Sequence, residues 1–144
     1  MKKSTRNIRY LVVHCSATPE GRDHTAKDIA LWHKQRGFNE IGYNYIVRLD
    51  GTVELGRDVN KIPAHVTNHN KDSIGICYIG GIDKNTLQPK DTRTPAQKEA
   101  LKKLLKELKT LYPEAEILGH RDFPGVAKAC PCFNAKDEYK SISK

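Results

Sequence analysis

The sequence lacks the features that mark a membrane or an exported protein. No apolar run approaches the roughly 18 to 20 residues that a membrane helix needs. The basic N-terminus is followed only by the short apolar segment 11–13, whereas the core of a signal peptide takes about 7 to 15 apolar residues. We therefore expect no membrane insertion and no export signal, with synthesis in the cytoplasm.

Cysteine is scarce, and its spacing fits no secreted disulfide framework. The four cysteines are Cys15, Cys77, Cys130 and Cys132. Small secreted domains are usually dense in paired cysteines, and this chain is not. A reduced compartment of synthesis is the expectation that follows.

Length and charge set further bounds. At 144 residues the chain is long enough for one sizeable core, so we expect residues 1–144 to form a single domain. The net charge of +8 favours an anionic partner, such as nucleic acid, acidic lipid or an anionic wall polymer, and equally fits a soluble basic surface. The chain shows no nucleic-acid-binding module, so nucleic acid is not the expected partner.

Strand-like and helix-like segments alternate, which predicts an α/β fold with one mixed central sheet flanked by helices. Capping signals begin two helices: Thr25 with Asp28, and Thr94 with Gln97. A third, short helix is capped by Asn134. The predicted strands are 9–14, 43–49, 52–55, 73–79 and 114–119, and 120–133 is predicted to be a loop.

A tight hairpin is predicted between the second and third strands. Asp50 and Gly51 separate two β-rich runs. Asp-Gly is typical of a two-residue turn in which both residues take positive φ.

Three residues of metal-ligand type follow predicted strands. His14 ends the first strand, His120 follows the last one, and Cys130 lies ten residues further on. Two imidazoles and one thiolate suffice for catalytic zinc, which keeps a fourth position open. No HExxH motif is present, and each residue alone has a structural reading: His14 as a hydrogen-bonded strand end and Cys130 as a small buried hydrophobe.

Seven short motifs, spread in one order over residues 10–133, resemble the zinc-dependent N-acetylmuramoyl-L-alanine amidases of type 2. This family is related to the peptidoglycan recognition proteins, whose fold the resemblance implies. The motifs are VVHCSAT (12–18), IGYNYIV (41–47), DGTVELGRD (50–58), DSIGICYIGG (72–81), TPAQ (94–97), GHRDF (119–123) and KACPCF (128–133).

The resemblance implies a reaction and roles for individual residues. The family cleaves the amide bond between N-acetylmuramic acid and the L-alanine of the peptidoglycan stem peptide. By motif position, His14, His120 and Cys130 match the family's zinc ligands, and Tyr43 and Lys128 match residues needed for hydrolysis. A hydroxyl and a cation at those positions suit the chemistry, because the oxyanion formed from an amide needs donors beyond a metal.

The resemblance also places two residues in the substrate groove and raises a question about the thiol ligand. His65 and Asn70 fall at groove positions. Relatives usually carry Ser or Gly where this chain has Cys132. Geometry alone leaves both thiols open, because Pro131 can turn the chain between them. The resemblance assigns Cys130, the cysteine directly before the proline.

The expected protein is a monomeric, single-domain zinc amidase that acts on peptidoglycan or muropeptides. A phage or prophage endolysin, made in the cytoplasm and acting on the wall after release, fits this expectation. Two alternatives remain: a non-catalytic peptidoglycan-binding module, which in this family is marked by loss of a zinc ligand, and an RNA-polymerase-binding interaction protein.

Overall fold

The computed structural model describes residues 1–143, which contain seven strands and four α-helices. The strands are β1 (Tyr10–Cys15), β2 (Thr18–Pro19), β3 (Tyr45–Val47), β4 (Val53–Leu55), β5 (Ser73–Tyr78), β6 (Gly81–Ile82) and β7 (Glu116–Gly119). The helices are α1 (Ala26–Gln35), α2 (Pro95–Leu111), α3 (Ala135–Glu138) and α4 (Lys140–Ser143).

Five strands form a mixed central sheet in the order β4-β3-β5-β1-β7. β1 pairs in parallel with β5 and β7, and β3 is parallel to β5 but antiparallel to β4. The mixed α/β sheet predicted from the sequence is therefore confirmed. β5 lies at its centre with all six residues buried, as its nearly continuous apolar sequence requires.

The two long helices cover opposite faces of the sheet. The capping boxes of Thr25 with Asp28 and of Thr94 with Gln97 are both formed. α2 packs its leucines against Leu11 and Val13 of β1. α1 packs Ile29 against the other face of the sheet. None of the described helices is long and apolar enough to cross a membrane.

Successive side chains of β1 point to opposite faces of the central sheet, so neighbouring residues of this strand are buried on different sides. Cys15 lies in the same core as Leu11 and Val13, against α2. His14 therefore points to the opposite face. Cys77 is buried in the core on the α1 side. Cys15 and Cys77 are thus buried on opposite faces of the sheet.

Three local features differ from the sequence predictions. Gly51 has φ +88°, but Asp50 does not have positive φ, so the two-residue turn is wrong. Instead the Gly51 N–H donates to the Arg48 carbonyl, and Gly51 follows the turn as a bulge.

The predicted loop after β7 begins with a 3₁₀ turn, His120–Asp122. The short parallel pair of β2 with β6 was not predicted, because two-residue strands carry no periodicity.

Candidate metal centre and active site

The sheet brings the three ligand-type residues together at one edge. His14 is near the end of β1, and His120 directly follows β7, the parallel neighbour of β1. Cys130 returns to the same point through the following loop. The ligand atoms of the three residues all lie within 4.8 Å of one another, and the Cys130 Sγ lies 3.8 Å from the His14 Nδ1.

The donor set fits zinc. Tetrahedral zinc with nitrogen and sulfur ligands holds its donor atoms about 3.3 to 3.6 Å apart, close to the 3.8 Å between Cys130 and His14. Burial lowers the pKa of His14 well below its usual value, and the neighbouring basic groups His65, His120 and Lys128 add to the effect. Burial and Lys128 also lower the pKa of His120. Both imidazoles are thus neutral at neutral pH, which is the form that binds metals.

The two thiols of the Cys-Pro-Cys segment face different partners. Cys130 Sγ accepts a hydrogen bond of 3.2 Å from the Cys15 backbone N–H. Cys132 has φ +70° and its Sγ lies 3.3 Å from the Gly81 carbonyl oxygen and 3.9 Å from the Cys15 Sγ. Cys130, rather than Cys132, belongs to the group of three ligand atoms.

Tyr43 and Lys128 lie beside this group. The Tyr43 ring centroid is 4.9 Å from that of His14. Burial raises the pKa of the Tyr43 hydroxyl well above its usual value, so the hydroxyl stays protonated and can donate at neutral pH. Lys128 is exposed at the mouth of the site.

A groove of about 360 Å³ opens in front of the three ligand-type residues. Its walls include Tyr43, Lys128, His65 and Asn70. A second cavity, of about 570 Å³, shares His65, His120 and Lys128 with the first. The two cavities are therefore neighbours and border one another at these residues.

His65 and Asn70 also make contacts inside the protein. The His65 Nδ1 lies 2.7 Å from the Nε2 of His14. Asn70 Oδ1 accepts hydrogen bonds from the backbone N–H groups of His65 (2.9 Å) and Val66 (2.8 Å). Asn70 therefore fixes the loop that carries His65, and His65 touches one of the candidate metal ligands directly.

Sequence reasoning missed the residues that hold Tyr43 in place. The His33 Nδ1 accepts a hydrogen bond of 2.8 Å from the Gly42 N–H, and a Cβ at Gly42 would collide with the Ala64 carbonyl. On the other side of Tyr43, the Asn44 Oδ1 accepts a hydrogen bond of 3.0 Å from the Gly75 N–H on β5. The GYN segment of the sequence carries this signal, but its partners are remote in sequence and only the fold identifies them.

A separate cavity, of about 520 Å³, lies away from these residues. It is enclosed by β4 and α2, with apolar walls that include Val53, Leu55 and Leu104. The candidate site residues predicted from the sequence all lie elsewhere. Chemistry on a polar substrate is therefore assigned to the groove beside His14.

Comparisons with known proteins agree on one family. The sequence profile of the family described as N-acetylmuramoyl-L-alanine amidase matches residues 4–133. The endolysin of Klebsiella phage KP32 is 44% identical over 126 residues, which cover 88% of this chain and 82% of that protein.

Solved structures share the fold. The N-acetylmuramoyl-L-alanine amidase LysC from Clostridium intestinale URNW has a TM-score of 0.75 at 26% identity, covering 99% of this chain and 90% of LysC. Wild-type Drosophila PGRP-LB has a TM-score of 0.74 at 28% identity, covering 97% and 84%. With the profile covering most of the sequence, the chain belongs to the N-acetylmuramoyl-L-alanine amidase family and is an amidase that degrades peptidoglycan.

Proposed function

We propose that this amidase depends on zinc held by His14, His120 and Cys130, and that it is a phage or prophage endolysin. The observation that carries the zinc proposal is the convergence of two imidazoles and one thiol within 4.8 Å at the floor of a groove. The identity with a phage endolysin supports the biological role. The enzyme acts on the wall as a monomer, without inserting into a membrane.

Zinc at this site supplies a Lewis acid that polarises the amide carbonyl and lowers the pKa of water. His14, His120 and Cys130 would hold the ion with three protein ligands, the number typical of catalytic zinc sites. The chain's own contribution is to hold the metal in a partly water-excluded position. His14 is 1% exposed, and its Nε2 lies 2.7 Å from the His65 Nδ1.

Tyr43 and Lys128 stabilise negative charge that develops on the substrate carbonyl oxygen. The Tyr43 hydroxyl is a neutral donor beside His14, and Lys128 brings a cation to the groove. Donors aimed at a developing oxyanion act most strongly in the transition state. His65 and Asn70 line the groove in which the muropeptide lies.

The non-catalytic alternative is less well supported. A binding module of this family is expected to lack a zinc ligand, whereas His14, His120 and Cys130 are all present and grouped. Tyr43 and Lys128 accompany them. The groove therefore contains the residues expected for hydrolysis as well as those expected for substrate binding.

The test exploits the two neighbouring thiols as a matched pair. We expect wild-type protein to hold one zinc per chain and to release L-alanine amino groups from purified peptidoglycan, with this activity lost on chelation. Cys130→Ser should lose zinc and hydrolysis, because a hydroxyl replaces a thiolate ligand poorly. Cys132→Ser is the control and should retain both.

Zinc content by elemental analysis and amine release are measured on the same samples. A metal-free, chelator-insensitive wild-type amidase would contradict the zinc proposal. An inactive, zinc-free Cys132→Ser protein beside a normal Cys130→Ser protein would overturn the choice of thiol. Release of reducing sugar in place of amine would contradict the assigned bond.

A further inference from the structure

A chain of short hydrogen bonds leads from His14 to a backbone carbonyl. The His14 Nε2 lies 2.7 Å from the His65 Nδ1, and the His65 Nε2 lies 2.7 Å from the Ser73 Oγ. The Ser73 hydroxyl in turn donates to the His69 carbonyl oxygen at 2.6 Å. Each link is at a normal hydrogen-bond distance.

The carbonyl at the end of the chain fixes the direction of every link. A carbonyl oxygen can only accept, so the single Ser73 hydroxyl proton points at His69. The Ser73 oxygen must then accept from an N–H on the His65 Nε2. A neutral imidazole carries one N–H, which leaves the His65 Nδ1 bare.

The same reasoning continues to His14. Because the His65 Nδ1 is bare, it must accept from an N–H on the His14 Nε2. The remaining nitrogen of His14, the Nδ1, therefore has a free lone pair. That nitrogen is the one 3.8 Å from the Cys130 Sγ.

We propose that Ser73 and His65 are positioning residues that hold His14 in the tautomer whose Nδ1 binds zinc. The proposal rests on the zinc site proposed above. It gives His65 a role through His14, in addition to its place in the groove wall. It also gives a role to Ser73, which lies outside the groove walls.

The surroundings hold the hydrogen-bonded chain of Ser73, His65 and His14, called the relay below, in one arrangement. Ser73 is fully buried, and its carbonyl oxygen accepts a hydrogen bond of 3.0 Å from the Arg6 guanidinium. The His65 ring lies over Gly75 of β5, where a Cβ would come within 2.9 Å of the His65 Nδ1. A side chain at position 75 would push the ring away from His14, so glycine leaves the space that the relay needs.

The most direct experiment determines which ring nitrogen of His14 and of His65 carries the proton in the wild-type protein. Long-range ¹H–¹⁵N spectra of ¹⁵N-histidine-labelled protein are recorded before and after zinc is added. We expect His65 and His14 to carry their proton on Nε2 in both states, and the His14 Nδ1 resonance to move on zinc binding. A proton on the His65 Nδ1, or zinc on the His14 Nε2, would overturn the proposal.

A variant pair measures the contribution to metal binding. Ser73→Ala should weaken zinc affinity by about 10-fold, the lower end of the effect of losing a direct partner of a metal-binding histidine, because Ser73 acts on His14 only through His65. It should also give His65 a mixture of tautomers. Ser4→Ala is the control, because the Ser4 hydroxyl oxygen is a buried acceptor for the Arg6 N–H outside the relay. Zinc affinity is measured by competition with a chromophoric chelator.

The outcomes separate this proposal from the zinc proposal itself. If wild-type protein binds no zinc, the zinc proposal fails, whatever the tautomers are. If wild-type protein binds zinc but Ser73→Ala binds it equally well with an unchanged His65 tautomer, the relay fails alone. Should Ser73→Ala not fold, the wild-type spectra still decide the matter.

Discussion

At the scale of single residues, the groove places a buried hydroxyl and an exposed cation around one reaction centre. Tyr43 is held by its neighbours Gly42 and Asn44, whose hydrogen bonds run to α1 and β5. The Lys128 side chain makes no hydrogen bond or ion pair with the part of the chain that the structure describes, and it lies two positions before Cys130 in the loop. If zinc binds Cys130, the metal itself fixes the backbone beside Lys128.

Tyr43→Phe and Lys128→Met should each reduce kcat by about 100- to 1000-fold, the typical effect of removing one oxyanion donor. Zinc content and KM should change little, because each group acts mainly in the transition state. Steady-state hydrolysis of a soluble muropeptide, with zinc analysis of each sample, checks this. Lys102→Met, on the exposed face of α2, is the matched control.

A variant with wild-type kcat would remove its residue from the catalytic assignment. A fall in kcat that paralleled loss of zinc would instead assign the residue to metal retention.

The sequence indicated the ligand-type residues of this site but not the residues that hold them in position. His14 and His120 were singled out because each lies at the end of a predicted strand, and the structure brings them together. Ser73 and Asn44 were not recognised, because a short polar residue in a β-rich run has no local pattern that distinguishes it. Their partners are identified only once β5 is placed beside β1 and β3.

At the scale of elements, an ion-pair cluster ties the C-terminal helices to the start of α2. The Arg93 side chain is 2% exposed and donates to both Asp91 and Glu138. Its guanidinium lies 3.4 Å from the centroid of the Phe133 ring. The sequence predicted the helix that follows Asn134, but the packing of that helix depends on this cluster, which joins residues 45 positions apart.

Glu138→Gln should lower the free energy of unfolding by about 1 kcal/mol at pH 7. Bonds to a charged group contribute about 1.5 to 3 kcal/mol, and the 43% exposure of the Glu138 side chain reduces this through solvent screening. The expectation is checked by urea unfolding of the two proteins, with Glu114→Gln as a surface control.

The effect of this substitution should depend on pH. Hydrogen bonding to Arg93 holds the pKa of Glu138 below its usual value. A depressed carboxyl pKa stabilises the fold above the unfolded-state pKa, near 4.3, and the contribution is lost as pH falls through the folded-state pKa. The difference between wild type and Glu138→Gln should therefore shrink below about pH 4. A constant difference across this range would contradict the ion-pair explanation.

The starts of α1 and α2 were predicted correctly, whereas the type of turn between β3 and β4 was not. Capping boxes are local patterns of four residues, so Thr25 and Thr94 identify helix starts without the tertiary structure. The turn after β3 depends on strand pairing as well. Val47 pairs with Val53, which leaves a longer connection than Asp-Gly alone can make.

At the scale of the whole molecule, the fold class followed from alternating segments, whereas the strand order did not. β1 is first in sequence, yet it lies between β5 and β7. Local periodicity contains no information on that order. The edges of the sheet, and the residues that border them, become known only from the structure.

One consequence of this order concerns β7, which lies at an edge of the central sheet and, within residues 1–143, pairs only with β1. His14 is on β1, and His120 directly follows β7. An ion bound to both residues would link β1 to β7 in addition to their backbone hydrogen bonds. Such an ion acts as a clasp, because opening of β7 must also break the metal site.

Amide hydrogen exchange should reveal this clasp. On removal of zinc, the amides of Glu116–Gly119 should exchange at least about tenfold faster, since the ligand no longer opposes local opening. The amides of β5, at the centre of the sheet, serve as the internal control and should change little. Equal exchange of β7 with and without zinc would contradict the linkage. If the ion links β1 to β7 in this way, loss of metal lets β7 open more readily and exposes the edge of β1. Metal-depleted molecules then become the ones most open to proteolysis and aggregation.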